Sequence, residues 1–257
     1  MRYTTTLSTF LLLFFVLPSW SQNYLSIQIP SAEQETAYIW RTLRDIAFFE
    51  KHNYQLSLPQ GPLMEKLKQK AKANRLTDED YAELQLFVSS QVYQKEDYQQ
   101  GYEKILAQKG LVNKMIRRLQ KHKRNWNFKR FDRYQIVLTL YGSGGNYNPD
   151  NGSIIIFTNQ DGNFKQYDKP ANTLIHEIVH MGVEESIIQR YQVSHPLKER
   201  IVDQLVLLHF KTLLPQYRLQ DMGEYRIDPY LKKKRDCKNL GKIVEGIVNL
   251  RGEEMKR

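Results

Sequence analysis

His176, Glu177 and His180 stand in the order H-E-x-x-H. On a helix, residues four apart lie on one face, one turn above the other. Both imidazoles can then reach one point in space. Neutral imidazoles so placed are the beginning of a Zn²⁺ site, in which nitrogen ligands sit at about 2.0–2.1 Å. Glu177 falls beside that point rather than on it, where a carboxylate can take a proton from a metal-bound water. The chemistry of such a set is hydrolysis. Its plain alternative is a pair of hydrogen-bonded histidines on a half-buried helix.

A catalytic zinc needs a third protein ligand and an open fourth position. Val183 and Ser186 stand where the longer H-E-x-x-H-x-x-G-x-x-H pattern requires Gly and His. Glu184 continues the four-residue series, but a third consecutive turn of a straight helix moves away from a shared centre, and Glu185 fails in the same way. Glu199 is the expected ligand, with eighteen residues between it and His180. Ser194-His195-Pro196 reads as the opening of a new helix, which puts Glu199 in its first turns. Asp203 shares that face and fits a carboxylate that accepts the free ring N–H of a zinc histidine. His195 is the rival third ligand. An oxyanion donor is also required. Tyr191, between the two ligand helices, is the first candidate, ahead of His195, Tyr225 and Tyr230; with 16 tyrosines in the chain, each is equally a packing residue.

On His176, Glu177, His180, Glu199 and Asp203 the chain resembles the gluzincin class of zinc metallopeptidases. The spacer is similar to that of aminopeptidase-type gluzincins, and the E-x-x-x-D pair to that of the thermolysin-like group. The resemblance covers about residues 134–210. It implies an α+β, zincin-like catalytic domain with a small mixed sheet, an active-site helix and a second ligand helix. It also implies one Zn²⁺ and a peptide or protein substrate, cleaved by a Glu177-activated water. The glycine-rich motif of some aminopeptidases is absent, since Gly142-Ser-Gly-Gly145 reads as a hairpin loop.

The elements that must position these residues are partly visible. Asp168 and Pro170 open a helix that runs to about Glu185. Upstream, Tyr134–Tyr141 and Ser153–Thr158 read as strands, and Asp150-Asn151-Gly152 is a strong turn signal between them. A hairpin is expected, with 153–158 either a sheet edge that an extended peptide could join or an interior strand. Further back, Tyr24–Ile29 alternates as a strand and Ser31–Gln34 forms a capping box for a helix to about Lys51. Helical stretches over 62–73, 78–94 and 96–122 complete an N-terminal helical elaboration, 22–133, ahead of a catalytic core, 134–257, within one domain.

Composition bounds the rest. The chain has 257 residues, 41% hydrophobic, a net charge of +10 and the single cysteine Cys237. That is enough apolar material for a core, and one cysteine leaves no internal disulfide framework and no cysteine-clustered metal. Arg2, the apolar run Phe10–Leu17, Pro18 and Ser19-Trp20-Ser21 have the form of a signal peptide, 1–21, so a secreted or periplasmic protein is expected. No later stretch is long and apolar enough for a transmembrane helix. Lys121–Tyr134 and Lys232–Arg235 are basic runs. They read as solvated faces, or as contacts for an anionic envelope polymer rather than for nucleic acid. The rivals to a peptidase are thus a catalytically silent zinc-binding protein of zincin type and an envelope-polymer interaction protein.

Overall fold

In the computed structural model, residues 23–119, 128–164, 169–221 and 223–254 are described. The expected signal peptide and residues 121–127 of the first basic run lie outside the described residues. The protein is α+β, with a small mixed sheet in the order β1-β2-β4-β3. Strand β1 (Leu25–Gln28) runs parallel to β2 (Tyr134–Thr139), with Leu25 opposite Tyr134. The alternation in β2 buries Tyr134, Ile136 and Leu138, as a half-buried strand requires.

The expected hairpin between 134–141 and 153–158 does not form. β2 and β4 (Ser153–Phe157) are parallel neighbours. The chain between them makes an additional strand, β3 (Gly145–Asn148), which pairs antiparallel with β4. The turn signal is real but joins β3 to β4: Gly152 holds φ at 74°, a left-handed value that glycine adopts freely, and its N–H donates to the Asn148 carbonyl at 3.0 Å. Strand 153–157 is accordingly interior, and the edge strand beside it is β3. Gly-Asn-Tyr-Asn has weak strand propensity, which is why this segment reads as loop.

Helix α1 (Ala32–Arg44) carries the expected capping box at Ser31 and Gln34, and it ends at Asp45; α2 (Ile46–Lys51) follows as a separate turn and a half. α3 (Pro62–Lys72) begins at Pro62. α4 (Asp78–Phe87) gives way to a π-helical turn at Val88–Val92, so 78–94 is not one regular helix. Helices α1, α3 and α4 share a cluster around Ile39, Leu43, Met64, Leu67 and Leu84. The buried Glu35 of α1 ties this layer to the sheet. It accepts hydrogen bonds from Tyr98 and Thr139, each at 2.8 Å, and from the Leu140 N–H at 3.0 Å.

The larger core lies on the sheet. Helix α5 (Gln99–Leu119) packs on β1 and on α6 (Pro170–Val183), so parts of the 22–133 region belong to the same core as the motif helix. α6 is buried along nearly all its length and contacts β3, β4 and α7 (His195–Phe210). α8 (Leu240–Glu254) closes the chain. No helix among the described residues is long and apolar enough to cross a membrane.

Candidate metal centre

Pro170 at the first turn of α6 and Pro196 at the first turn of α7 set where each helix begins. From those starts, His176 and His180 of α6 and Glu199 of α7 project toward one another, all three buried. His176 Nε2 and His180 Nε2 lie 2.9 Å apart, and Glu199 Oε2 lies 3.4 Å from the first and 3.3 Å from the second. A tetrahedral shell with bonds of about 2.0–2.1 Å spaces its ligand atoms about 3.3 Å apart. The triangle thus has the dimensions of one tetrahedral face. This buried group can hold a metal ion.

The far side of His176 fixes which nitrogen points inward. Tyr217 donates its hydroxyl to Asp203 Oδ1 at 2.6 Å and accepts from His176 Nδ1 at 2.7 Å. Asp203 Oδ1 is itself 3.4 Å from that nitrogen. With its proton held at Nδ1, His176 presents the Nε2 lone pair to the centre. In the metal-free chain, burial opposes the imidazolium, yet Asp203 and Glu199 outweigh it and hold the His176 pKa up at about 10. A cation bound there displaces that proton. His180 is oriented differently. Its Nδ1 has no hydrogen-bond partner among the described residues, and its ring lies stacked on Tyr147, centroids 5.0 Å apart at 13°.

Glu177 lies beside the cluster and over β3. Gly145 makes room for it: a Cβ there would sit 2.9 Å from Glu177 Cδ and 3.0 Å from Thr173 Cγ2. Burial pushes the Glu177 carboxyl above its ordinary range, against the pull of His176 and His180. Glu199 is also buried, but His180 and His176 hold it well below that range. Two carboxylates a few residues from one cation site are therefore pushed apart. One is a permanent anion suited to ligation, the other a carboxylate with raised proton affinity suited to base work.

The cluster opens into a cavity of about 360 Å³. Edge strand β3 forms one wall through Gly145 and Tyr147. α7 contributes His195 and Lys198, and the helical layer contributes Arg41, Phe48 and Tyr54. Tyr147 donates to Glu184 at 2.7 Å, and burial with that carboxylate keeps its phenol protonated far above neutrality. Burial, with Glu199 and Glu177 nearby, pushes Tyr54 up to about 12; its hydroxyl lies 3.2 Å from His195 Nε2.

The structure brings His176, Glu177, His180, Glu199 and Asp203 together as expected from their spacing. His195 reaches only 3.7 Å from Glu199 Oε1 and is not one of the three clustered ligands. Tyr191 is a correction. It packs against Gly241 of α8 under Arg190 and does not line the cavity, because the π-helical turn Glu184–Gln189 carries the chain away from it. Tyr225 and Tyr230 are exposed elsewhere. The tyrosines that do line the cavity, Tyr54 and Tyr147, come from segments remote in sequence. Tyr217, Gln220 and Gly145 carry no periodic signal and were not legible as site residues.

No family model, curated protein or solved structure matches the chain.

Proposed function

We propose that the protein is a zinc-dependent metallopeptidase of zincin type, exported by the leader that its first 21 residues resemble. The carrying observation is the Nε2–Nε2–Oε2 triangle, with Glu177 beside it and a cavity in front. Two imidazoles and one carboxylate are a donor set that suits Zn²⁺. When bound there, zinc would supply Lewis acidity toward a scissile carbonyl and acidify a water molecule.

The chain's own residues supply the remainder. His176, His180 and Glu199 hold the ion, and Asp203 with Tyr217 orients His176. Among the described residues no strand pairs with the outer edge of β3, which offers main-chain hydrogen bonds to an extended peptide across the cavity. Glu177 takes the proton of the attacking water and passes it to the leaving amine, a task for which its raised proton affinity suits it. Tyr54, protonated at neutral pH, is the cavity hydroxyl offered to developing negative charge in place of Tyr191, since Tyr147 already donates to Glu184.

The test is zinc content and casein cleavage of wild type beside Glu177→Gln. Both should bind one zinc per chain, and the variant should cleave at least ~10²-fold more slowly, the usual scale for removing a general base. Equal cleavage by the two proteins would remove Glu177 from the mechanism. Absence of zinc from both would remove the reading altogether.

A further inference from the structure

Gln220 is half-buried, on the segment after α7, and its side chain reaches the ligand triangle. The terminal amide nitrogen lies 3.3 Å from His176 Nε2 and 3.5 Å from Glu199 Oε2. These separations are those of neighbouring ligands around one centre. Ligand atoms of one tetrahedral shell are about 3.3 Å apart. The Gln220 amide nitrogen stands at that spacing from two of the three ligand atoms.

The segment is held there by the carboxylate that orients His176. Asp203 Oδ1 accepts from Tyr217, and Asp203 Oδ2 accepts from the Gln220 backbone N–H at 2.6 Å. A single buried acid therefore sets both a ligand imidazole and the residue facing it. A carboxamide can present either end by a half-turn about its last bond. Its N–H₂ suits the Glu199 carboxylate oxygen, and its C=O suits a cation.

We infer that the Gln220 side-chain amide is a fourth, displaceable ligand of the resting metal centre, occupying the corner that substrate must take. The inference rests on the metal-binding reading above. A neutral amide oxygen is a weaker zinc donor than imidazole, thiolate or carboxylate, so it caps the corner without sealing it. An incoming carbonyl or a chelating probe has to displace it, and the apparent affinity falls by the fraction of molecules that are uncapped.

Cobalt(II) loaded in place of zinc reports coordination through its visible spectrum, and acetohydroxamate serves as the probe. Gln220→Ala should still bind one cobalt, with a visible spectrum changed from that of wild type. It should bind acetohydroxamate at least about tenfold more tightly, because no internal ligand is displaced. Gln220→Asn, one carbon too short to reach, should behave as the alanine variant does, and both keep the backbone bond to Asp203. If all three proteins bind one cobalt with identical spectra and equal hydroxamate affinity, the cap is overturned while the metal site stands. If none binds cobalt, the metal site itself fails and the cap falls with it.

Discussion

Gly145→Ala isolates the placement of Glu177 from everything else in the site. The added Cβ would lie 2.9 Å from Glu177 Cδ, with Oε1 closer still. Carbon atoms in contact prefer about 3.5–4.0 Å, so the carboxyl must retreat by roughly 0.6–1.1 Å. A misplacement of about 1 Å at a reacting group costs on the order of 10²-fold in rate, or about 2.7 kcal/mol of transition-state stabilisation. The fold should absorb the change. Gly145 sits in strand β3, outside the left-handed region, so alanine adopts its backbone without strain. The close approach to Thr173 Cγ2, 3.0 Å, offsets about 0.4–1 kcal/mol gained by restricting the unfolded chain. None of the three ligand residues moves, so metal content should stay at the wild-type level. The assay is kcat/KM on a quenched casein substrate, with zinc content and thermal melting measured on the same sample. Cleavage within threefold of wild type, at equal zinc, would refute the placement argument, because Glu177 would then tolerate displacement that a positioned base cannot.

Two further outcomes are expected. Tyr217→Phe removes the hydroxyl between His176 Nδ1 and Asp203. Metal dissociation constants should rise about 10–100-fold, the usual cost of losing such an orienting partner; unchanged affinity in a competitive chelator titration would mean that Asp203 alone orients the ring. Glu35→Gln tests the buried acid that ties α1 to β2. Burial raises the Glu35 carboxyl, although Leu140, Tyr98 and Thr139 pull it down. Its folded-state pKa therefore exceeds its unfolded value, so its contribution to stability is fully present below about pH 4.5 and is lost as pH rises through the folded value. Urea unfolding from pH 4 to 8 should show that loss in wild type and not in Glu35→Gln, and identical slopes for the two would contradict it.

What could be read from the chain, and what could not, divides along a physical line. Signals confined to a few residues came through. The i,i+4 histidines, the prolines opening α6 and α7, the Ser31 capping box and the Asp150–Gly152 turn each depend on local geometry alone. Glu199 and Asp203 were reachable because an eighteen-residue spacer and one helical turn bring them to the same face. The parallel pairing of β1 with β2 and of β2 with β4 depends on which strand lies beside which, and alternation cannot express that. β3 was missed because Gly-Asn-Tyr-Asn has weak strand propensity, with Gly145 giving clearance under Glu177. Tyr217 and Gln220 were missed because an irregular segment has no period to read.

The helical layer gains a function from the same geometry. Arg41, Phe48 and Tyr54 reach the cavity from α1, α2 and the loop after them. Phe48 is half exposed beside His52, Tyr54 and His195, so an aromatic wall faces the metal centre across the cavity. Arg41 bonds to Asn146 of edge strand β3 at 3.3 Å, bridging the wall and the strand. Such a wall gives apolar contact to whatever occupies the cavity. Glu35 anchors α1 to the end of β2 through two hydrogen bonds and to Tyr98, just before α5, through a third, and α5 packs on both β1 and the motif helix. The wall rests on its own cluster, which Glu35 joins to the sheet of the core that holds the ligands. A detachable inhibitory segment would have no reason to share buried hydrogen bonds with the sheet. Residues 31–119 thus line the cavity through Arg41, Phe48 and Tyr54 and are joined to the sheet by buried hydrogen bonds.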